Sequence, residues 1–214
     1  MIFLVSDKNN HEHYYTEKPQ SRLKLRKIKF DIGYKSYTFI TSTGVFSYKK
    51  IDKGTEILLK SLVIPEETQK SNFKVLDLGC GYGVIGIVIA DLLPHAHITM
   101  IDINERAVWL CQKNIKRNDI RNAVVKQGDL FEKIDKKFDL IVTNPPISLG
   151  KDVLYEIFQE SFTHLKFGGS LQFVIRTKQG AKSAGNKIRE IFKPENVELL
   201  NIKSGYRVFY ASNI

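Results

Sequence analysis

The sequence predicts an α/β fold, a doubly wound and mainly parallel sheet with helices on both faces, preceded by a small basic N-terminal β extension. Three observations predict it. From residue 73 onward, short β-branched runs alternate with longer runs of helical period, the pattern of a parallel sheet crossed over by helices. A glycine-rich stretch, Asp77-Leu78-Gly79-Cys80-Gly81-Tyr82-Gly83, lies between the first such strand and an apolar helix, where α/β sheets bind nucleotide-like ligands. The last two strands, over 197–202 and 206–210, are joined by too few residues for a crossover and must pair antiparallel through Ser204-Gly205.

A chain of 214 residues accommodates one α/β domain and a modest extension, divided here as residues 44–214 and 1–43. Its longest apolar runs are too short to cross a bilayer and residues 1–5 lack a basic leader, so a cytoplasmic protein without a membrane partner is expected. Cys80 and Cys111 have no metal-ligand spacing and read as two reduced thiols, so no metal site is expected. The net charge of +10 suits a polyanionic partner, since a basic surface steers phosphates, but equally suits mere solubility.

Residues 11–21 lack periodicity and read as a mobile arm or loosely docked lead-in. Lys18, Arg22, Lys24, Arg26, Lys27, Lys29 and Lys35 then stand against the single acid Asp31. Leu23 and Leu25 alternate with charged residues, and Ile28, Phe30 and Ile32 alternate in the opposite phase, which suggests strands interrupted by a bulge or turn. Tyr37, Phe39 and Thr41 continue beyond Gly33, giving a small hairpin whose basic face suits solvent or RNA. Residues 42–47 form a loop, and Asp52 caps a helix with Ile57, Leu58 and Leu62 inward. A polar connection over 65–72 leads into the central strand at 73–76 and the helix at 84–92. Strands follow at 98–101, 123–125, 138–142 and 171–175. The intervening helices are one capped by Asn104 and buried through Ala107, Val108, Cys111 and Ile115, one over 153–165, and one over 181–192.

Three carboxylates fall at successive strand ends: Asp77, Asp102 and Asp129. One after the second strand can accept both hydroxyls of a ribose, and one after the third can receive an adenine amino group; helix capping and turn formation are the alternatives. The glycines Gly81, Gly83 and Gly86 also spell the dinucleotide fingerprint, which leaves a dinucleotide-binding oxidoreductase open at this point. Asn144-Pro145-Pro146-Ile147 follows the strand at 138–142 directly. Prolines carry no N–H, so the Asn144 side-chain oxygen and the Pro145 carbonyl form a rigid pair of acceptors for a planar amine. Held there, the amine turns its lone pair toward an electrophile, a proximity effect without a general base.

The glycine stretch resembles motif I of class I S-adenosylmethionine (SAM) dependent methyltransferases, and Asn144-Pro145-Pro146-Ile147 resembles their amine-methylating motif IV. Residues 44–214 are further similar to the small-domain methyltransferases, which include enzymes acting on the exocyclic amine of a guanine in small-subunit ribosomal RNA. Thr43-Gly44-Val45-Phe46-Ser47, Asp52-Lys53-Gly54-Thr55, the run at 177–183 and Gly205-Tyr206-Arg207-Val208 carry that similarity. The resemblance implies a Rossmann-like, seven-stranded sheet with its last strand antiparallel. It implies that Asp77, Gly79, Cys80, Gly81 and Gly83 surround the methionine end of SAM. Asp102 and Ile103 would meet the ribose, Asp129 and Leu130 the adenine, and Phe46, Gly54 and Thr55 would cover the cofactor, whose spent form is S-adenosylhomocysteine.

By the same resemblance Asn144, Pro145 and Pro146 are catalytic, with RNA, ribosomal RNA or a ribosomal subunit as partner. Ile147 departs from the family, where an aromatic often stacks on the target base; Phe46 is the replacement to expect. The family's duplicated lineage carries a second methyltransferase-like domain for which this chain has no room, so RNA grip falls to the basic lead-in and to Lys178 and Lys182. A protein side-chain amide or DNA adenine as acceptor, and an inactive RNA-binding protein, are the other readings.

Overall fold

The alternation of strand and helix builds one seven-stranded sheet, seen in a computed structural model that describes residues 16–65, 72–132, 134–146, 148 and 150–214. The central strand β3 (Lys74–Leu78) leads into α2 (Val84–Leu92), then β4 (His97–Asp102), α3 (Glu105–Arg117) and β5 (Ala123–Gln127). The chain next crosses to the other side of β3 with β6 (Phe138–Thr143), α4 (Lys151–His164), β7 (Leu165–Arg176) and α5 (Ala181–Phe192), and closes with β8 (Val197–Lys203) and β9 (Tyr206–Ser212). Strand order is β5-β4-β3-β6-β7-β9-β8, parallel except that β9 lies antiparallel between β7 and β8. The turn-length argument for the last two strands therefore holds.

Alternation along the strands sorts side chains onto two cores. Val75, Leu140 and Val142 join α2 residues such as Ile87 and Ile89 on one face, while Leu76, Leu78 and Ile141 meet Phe158 of α4 and Ile188 of α5 on the other. All but Leu78, at 1 %, are fully buried, and each aliphatic group so buried contributes about 1.5–3 kcal/mol. Phe173 stacks on Phe209 at 5.1 Å, fixing β9 against β7 on the second face.

The basic residues before the sheet form the expected hairpin, β1 (Leu25–Ile32) and β2 (Lys35–Ser42), turning at Gly33. The expected bulge is absent: pairing runs without a shift from Leu25↔Ser42 to Ile32↔Lys35. Leu23 and Leu25 are instead exposed, 48 % and 57 %, so the change of hydrophobic phase marks solvent-facing apolar residues ahead of and at the start of one continuous strand. Phe30, Tyr37 and Phe39 are buried in the first core. The free edge of β2 is closed by an asparagine of α3 and the asparagine that caps its C-terminus. Asn114 Oδ1 accepts from Ile40 N at 2.6 Å while its amide donates to Ile40 O and Tyr82 O, and Asn118 pairs in the same way with Thr38 N and O. Two side-chain amides thus imitate a neighbouring strand and satisfy backbone groups that burial would otherwise leave costly.

The lead-in is likewise held rather than loose over its described part. The Arg106 guanidinium donates to Pro19 O, Ser21 O, Ser21 Oγ and Thr43 O at 2.8–3.0 Å, and Glu105 N donates to Glu17 O. Residues 11–15, and most of the polar connection expected over 65–72, lie outside the described residues. α1 (Lys53–Lys60) is capped by Asp52 as expected, Thr55 N donating to Asp52 Oδ2 at 3.1 Å. β7 is longer than the apolar run at 171–175 suggests, because its first residues pair irregularly through a shift between Phe138 and Leu140.

Candidate active site

Strand register brings the sequence motifs together at the carboxyl ends of β3, β4 and β6. Leu78 pairs with Ile101 on one side and Thr143 on the other, so Gly79, Asp102 and Asn144 follow side by side. Thr143 Oγ1 donates to Leu78 O at 2.8 Å and Cys80 N donates to Ile101 O at 2.9 Å, extending the ladder into the loops. Here the strand order reverses, at the crevice where open α/β sheets take their ligands. A cavity of about 620 Å³ occupies it.

The glycines divide by task. Gly79 and Gly81 have φ of 69° and 56°, and a Cβ on either would meet nothing within 4 Å, so their bare backbones face open cavity. Gly83 and Gly86 serve packing instead: a Cβ on Gly83 would stand 2.6 Å from Cys111 Sγ, and one on Gly86 would collide with Met100 Sδ. Gly83 therefore lies off the cavity wall, and of the three glycines of the dinucleotide spelling only Gly81 faces the cavity while Gly83 and Gly86 serve helix packing.

Asp102 lines the cavity and is fixed by its own neighbours. Gly81 N donates to its Oδ2 at 2.7 Å and Asn104 N to its Oδ1 at 2.9 Å, while Asn104 itself caps α3 through Arg106 N and Ala107 N. Helix capping is thus the task of Asn104, and Asp102 keeps acceptor capacity for a ligand. Burial pushes its carboxyl up to about 6 against the opposing effect of the two backbone donors. Asp77 is buried beneath the wall: Gly86 N donates to Oδ2 at 2.7 Å, Oδ1 has no hydrogen-bond partner, and burial lifts the group to about 7. Cys80 lines the cavity as a buried free thiol, pushed well up by burial. Ile103, Asp129 and Leu130 lie on the same wall beyond β4 and β5, with Leu130 in the left-handed region at φ 42°.

The third wall comes from the loop and helix before the sheet. Phe46 and Thr55 line the cavity, as do Asn144, Pro145 and Pro146. The Asn144 amide donates to Asp52 Oδ2 and to Thr55 Oγ1, both at 3.0 Å. Both amide hydrogens are thereby engaged, so the side-chain oxygen is the group left to accept from a ligand. Gly54 is off the wall and clears space for this arrangement: a Cβ there would lie 2.8 Å from Tyr206 Cε1 and 2.9 Å from Asp52 Oδ2. Lys178 lies exposed on the 3₁₀ turn Thr177–Gln179 and does not line the cavity, and Ile147 lies outside the described residues.

Sequence reading missed the acidity of the wall. Asp52, Asp102, Asp129, Glu132, Glu156 and Glu160 line it, and no Lys, Arg or His does among the described residues. The available signal was the spacing of Glu156 and Glu160 on the α4 face that also carries Val153, a face that reads simply as helix core. The donor set fits SAM. Six carboxylates on the wall favour a cationic ligand, Asp102 among them keeps acceptor capacity, and the backbones of Gly79 and Gly81 leave open space beside it.

The methyltransferase small domain family matches residues 36–210. The Bacillus subtilis protein YbxB, described as uncharacterized, is 42 % identical over 205 residues, covering 95 % of this chain and 99 % of its own. Ribosomal RNA small subunit methyltransferase C of Haemophilus influenzae is 41 % identical over 141 residues, 64 % of this chain and 41 % of that protein. The chain therefore spans less than half the length of that relative. A solved T. thermophilus 16S rRNA N2 guanine methyltransferase, RsmC, in complex with AdoMet and guanosine, superposes with a TM-score of 0.76 at 27 % identity, covering 92 % of this chain and 52 % of that one. With family, fold and cavity in agreement, the chain belongs to the methyltransferase small domain family of SAM-dependent enzymes.

Proposed function

We propose that the protein transfers a methyl group from SAM to the exocyclic amine of a guanine in RNA, with small-subunit ribosomal RNA as the substrate class. The observation that carries this reading is the Asn144 amide, turned by Asp52 and Thr55 so that its oxygen, beside the Pro145 carbonyl, is free to accept from a planar amine at the cavity wall. When bound, SAM supplies a methyl group on a sulfonium whose departure leaves a neutral thioether. Gly79 and Gly81 give the methionine end close backbone approach, Asp102 accepts from the ribose hydroxyls, and Asp129 with Leu130 borders the adenine. Asn144 and Pro145 hold the two amine hydrogens, which pulls the nitrogen lone pair out of conjugation and along the line of attack; the amine proton leaves to solvent after the N–C bond forms. Phe46 stacks on the base and keeps bulk water from the sulfonium until transfer is complete, after which the proton is released.

The RNA assignment is supported by the similarity to ribosomal RNA methyltransferases and by the basic residues of the lead-in and hairpin, to which Lys178 and Lys182 after β7 add further positive charge. The test is incubation with labelled SAM and either naked small-subunit RNA or assembled subunits, followed by nucleoside analysis. Label in N2-methylguanosine is expected. Label that resists nuclease and disappears with protease would move the acceptor to a protein amide.

A further inference from the structure

We infer that Asp52 is a positioning residue for methyl transfer: its carboxylate, while capping α1, sets which end of the Asn144 amide faces the acceptor amine. The inference rests on the reaction proposed above. One oxygen, Asp52 Oδ2, receives both Thr55 N at 3.1 Å and Asn144 Nδ2 at 3.0 Å. Capping alone does not call for an aspartate. Serine, threonine and asparagine cap helices about as well. What distinguishes an ionised aspartate is that it only accepts, so the neighbouring amide must present its NH₂ group to it and its oxygen to the cavity.

The alternative orientation would point an NH₂ donor at an amine whose own hydrogens need acceptors. Thr55 cannot prevent that flip, because a hydroxyl donates as readily as it accepts and would accommodate either end of the amide. The constraint therefore lies with Asp52. Its charge adds a second effect, since an amide whose N–H groups are bonded to a carboxylate becomes a stronger acceptor through its oxygen. Gly54 belongs to the same device: any larger residue would press on Asp52 Oδ2 and on the Tyr206 ring that backs the first turn of α1. Asp52 and Asn144 are separated by 92 residues, so helix start and amine-binding loop are joined only in the folded protein.

The deciding variant is Asp52→Asn, which keeps an N-cap oxygen for Thr55 but introduces an NH₂ group that can bond the Asn144 oxygen and reverse the amide. In the full chain it should lower kcat roughly 10- to 100-fold, leave the KM for SAM and the affinity for S-adenosylhomocysteine within about 2-fold, and leave the urea midpoint unchanged. Thr55→Val, which removes only the indifferent partner, should cost less than Asp52→Asn. A kcat unchanged in Asp52→Asn overturns the inference, and a fall in kcat matched by lost stability or lost S-adenosylhomocysteine binding reassigns Asp52 to a structural role. The Asn144 side-chain NH₂ resonances of ¹⁵N-labelled protein give a reading independent of turnover. Both protons should be protected from exchange in the wild type and lose protection in Asp52→Asn. Should the wild type methylate no RNA, the substrate reading fails by itself, and the resonances still decide: protection that is the same in both proteins overturns the positioning role.

Discussion

The cavity and the hairpin face of this protein carry opposite charge within one small fold. Six carboxylates line the cavity without a cation among the described residues, whereas between Lys18 and Lys35 seven cations stand against Asp31 alone. Net charge therefore describes neither surface. A chain at +10 gathers these carboxylates around its cavity, and carries basic residues where screening by solvent makes repulsion cheap. The two regions also differ in how their charges are held. Asp77 and Asp102 are fixed by backbone donors in low dielectric, whereas Arg26, Lys27 and Lys29 project from one strand into water. Under the function proposed above, the small cationic ligand and the polyanion then meet different surfaces.

The largest expected effect sharpens the cavity side of this contrast. Asn144→Ala should reduce methyl transfer by about 10³-fold or more while affinity for S-adenosylhomocysteine, read by calorimetry, is kept. Transfer at the wild-type rate would remove the amide from the chemistry. Next, Asp102→Ala should weaken S-adenosylhomocysteine binding by about 10- to 100-fold, as expected for losing hydrogen bonds to a charged acceptor, and leave RNA affinity unaltered at the same salt. A loss of RNA affinity of similar size would break the separation of the two regions.

The boundary between the regions is tested by Asn114→Ala. It strips Ile40 N, Ile40 O and Tyr82 O of their partner and should cost about 2 kcal/mol in urea unfolding. A cost near zero would mean that the hairpin is not tied to the sheet through α3. The pH dependence follows from the buried carboxylates. Asp77 is lifted from the ordinary 3.8 to about 7, so the folded state binds more protons than the unfolded one across that window. Its contribution then falls as pH rises through the window, by at most about 1.4 kcal/mol per pH unit. Asp77→Asn should gain stability over the wild type as pH is raised, and the gain should vanish in acid. Parallel thermal curves at all pH values would show that Asp77 is not held in this way. The smallest effect belongs to the solvated side. Replacing Arg26, Lys27 and Lys29 together by alanine should lower RNA affinity about 3- to 10-fold and flatten its dependence on log salt, with SAM binding unaffected.

Much of the fold was legible because its signals are local. The alternation of Val75 and Leu76, the glycine turn and the short link at Ser204-Gly205 each act through neighbours in the chain. Errors arose where hydrophobicity and burial part company. Leu23 and Leu25 are apolar yet exposed, and so imitate a break in register. Within the site, Asp102, Asp129 and Asn144 could be placed because strand ends converge by rule, and the cavity brings them together. Asp52 was legible as a cap and as part of a family motif but not as the partner of Asn144, since that bond reaches across 92 residues. Gly83 and Gly54 looked like ligand contacts in one dimension but meet Cys111 and Tyr206 in three.

The antiparallel insertion of β9 between β7 and β8 has a bearing on how the molecule is made. Until residues 206–212 are in place, β7 offers a bare edge and β8 has no partner at all, because the two are not neighbours. The half of the sheet that carries α4 and α5 is therefore completed only when residues 206–212 have been made and inserted, and a chain in which they are unpaired would expose an edge open to pairing with other chains.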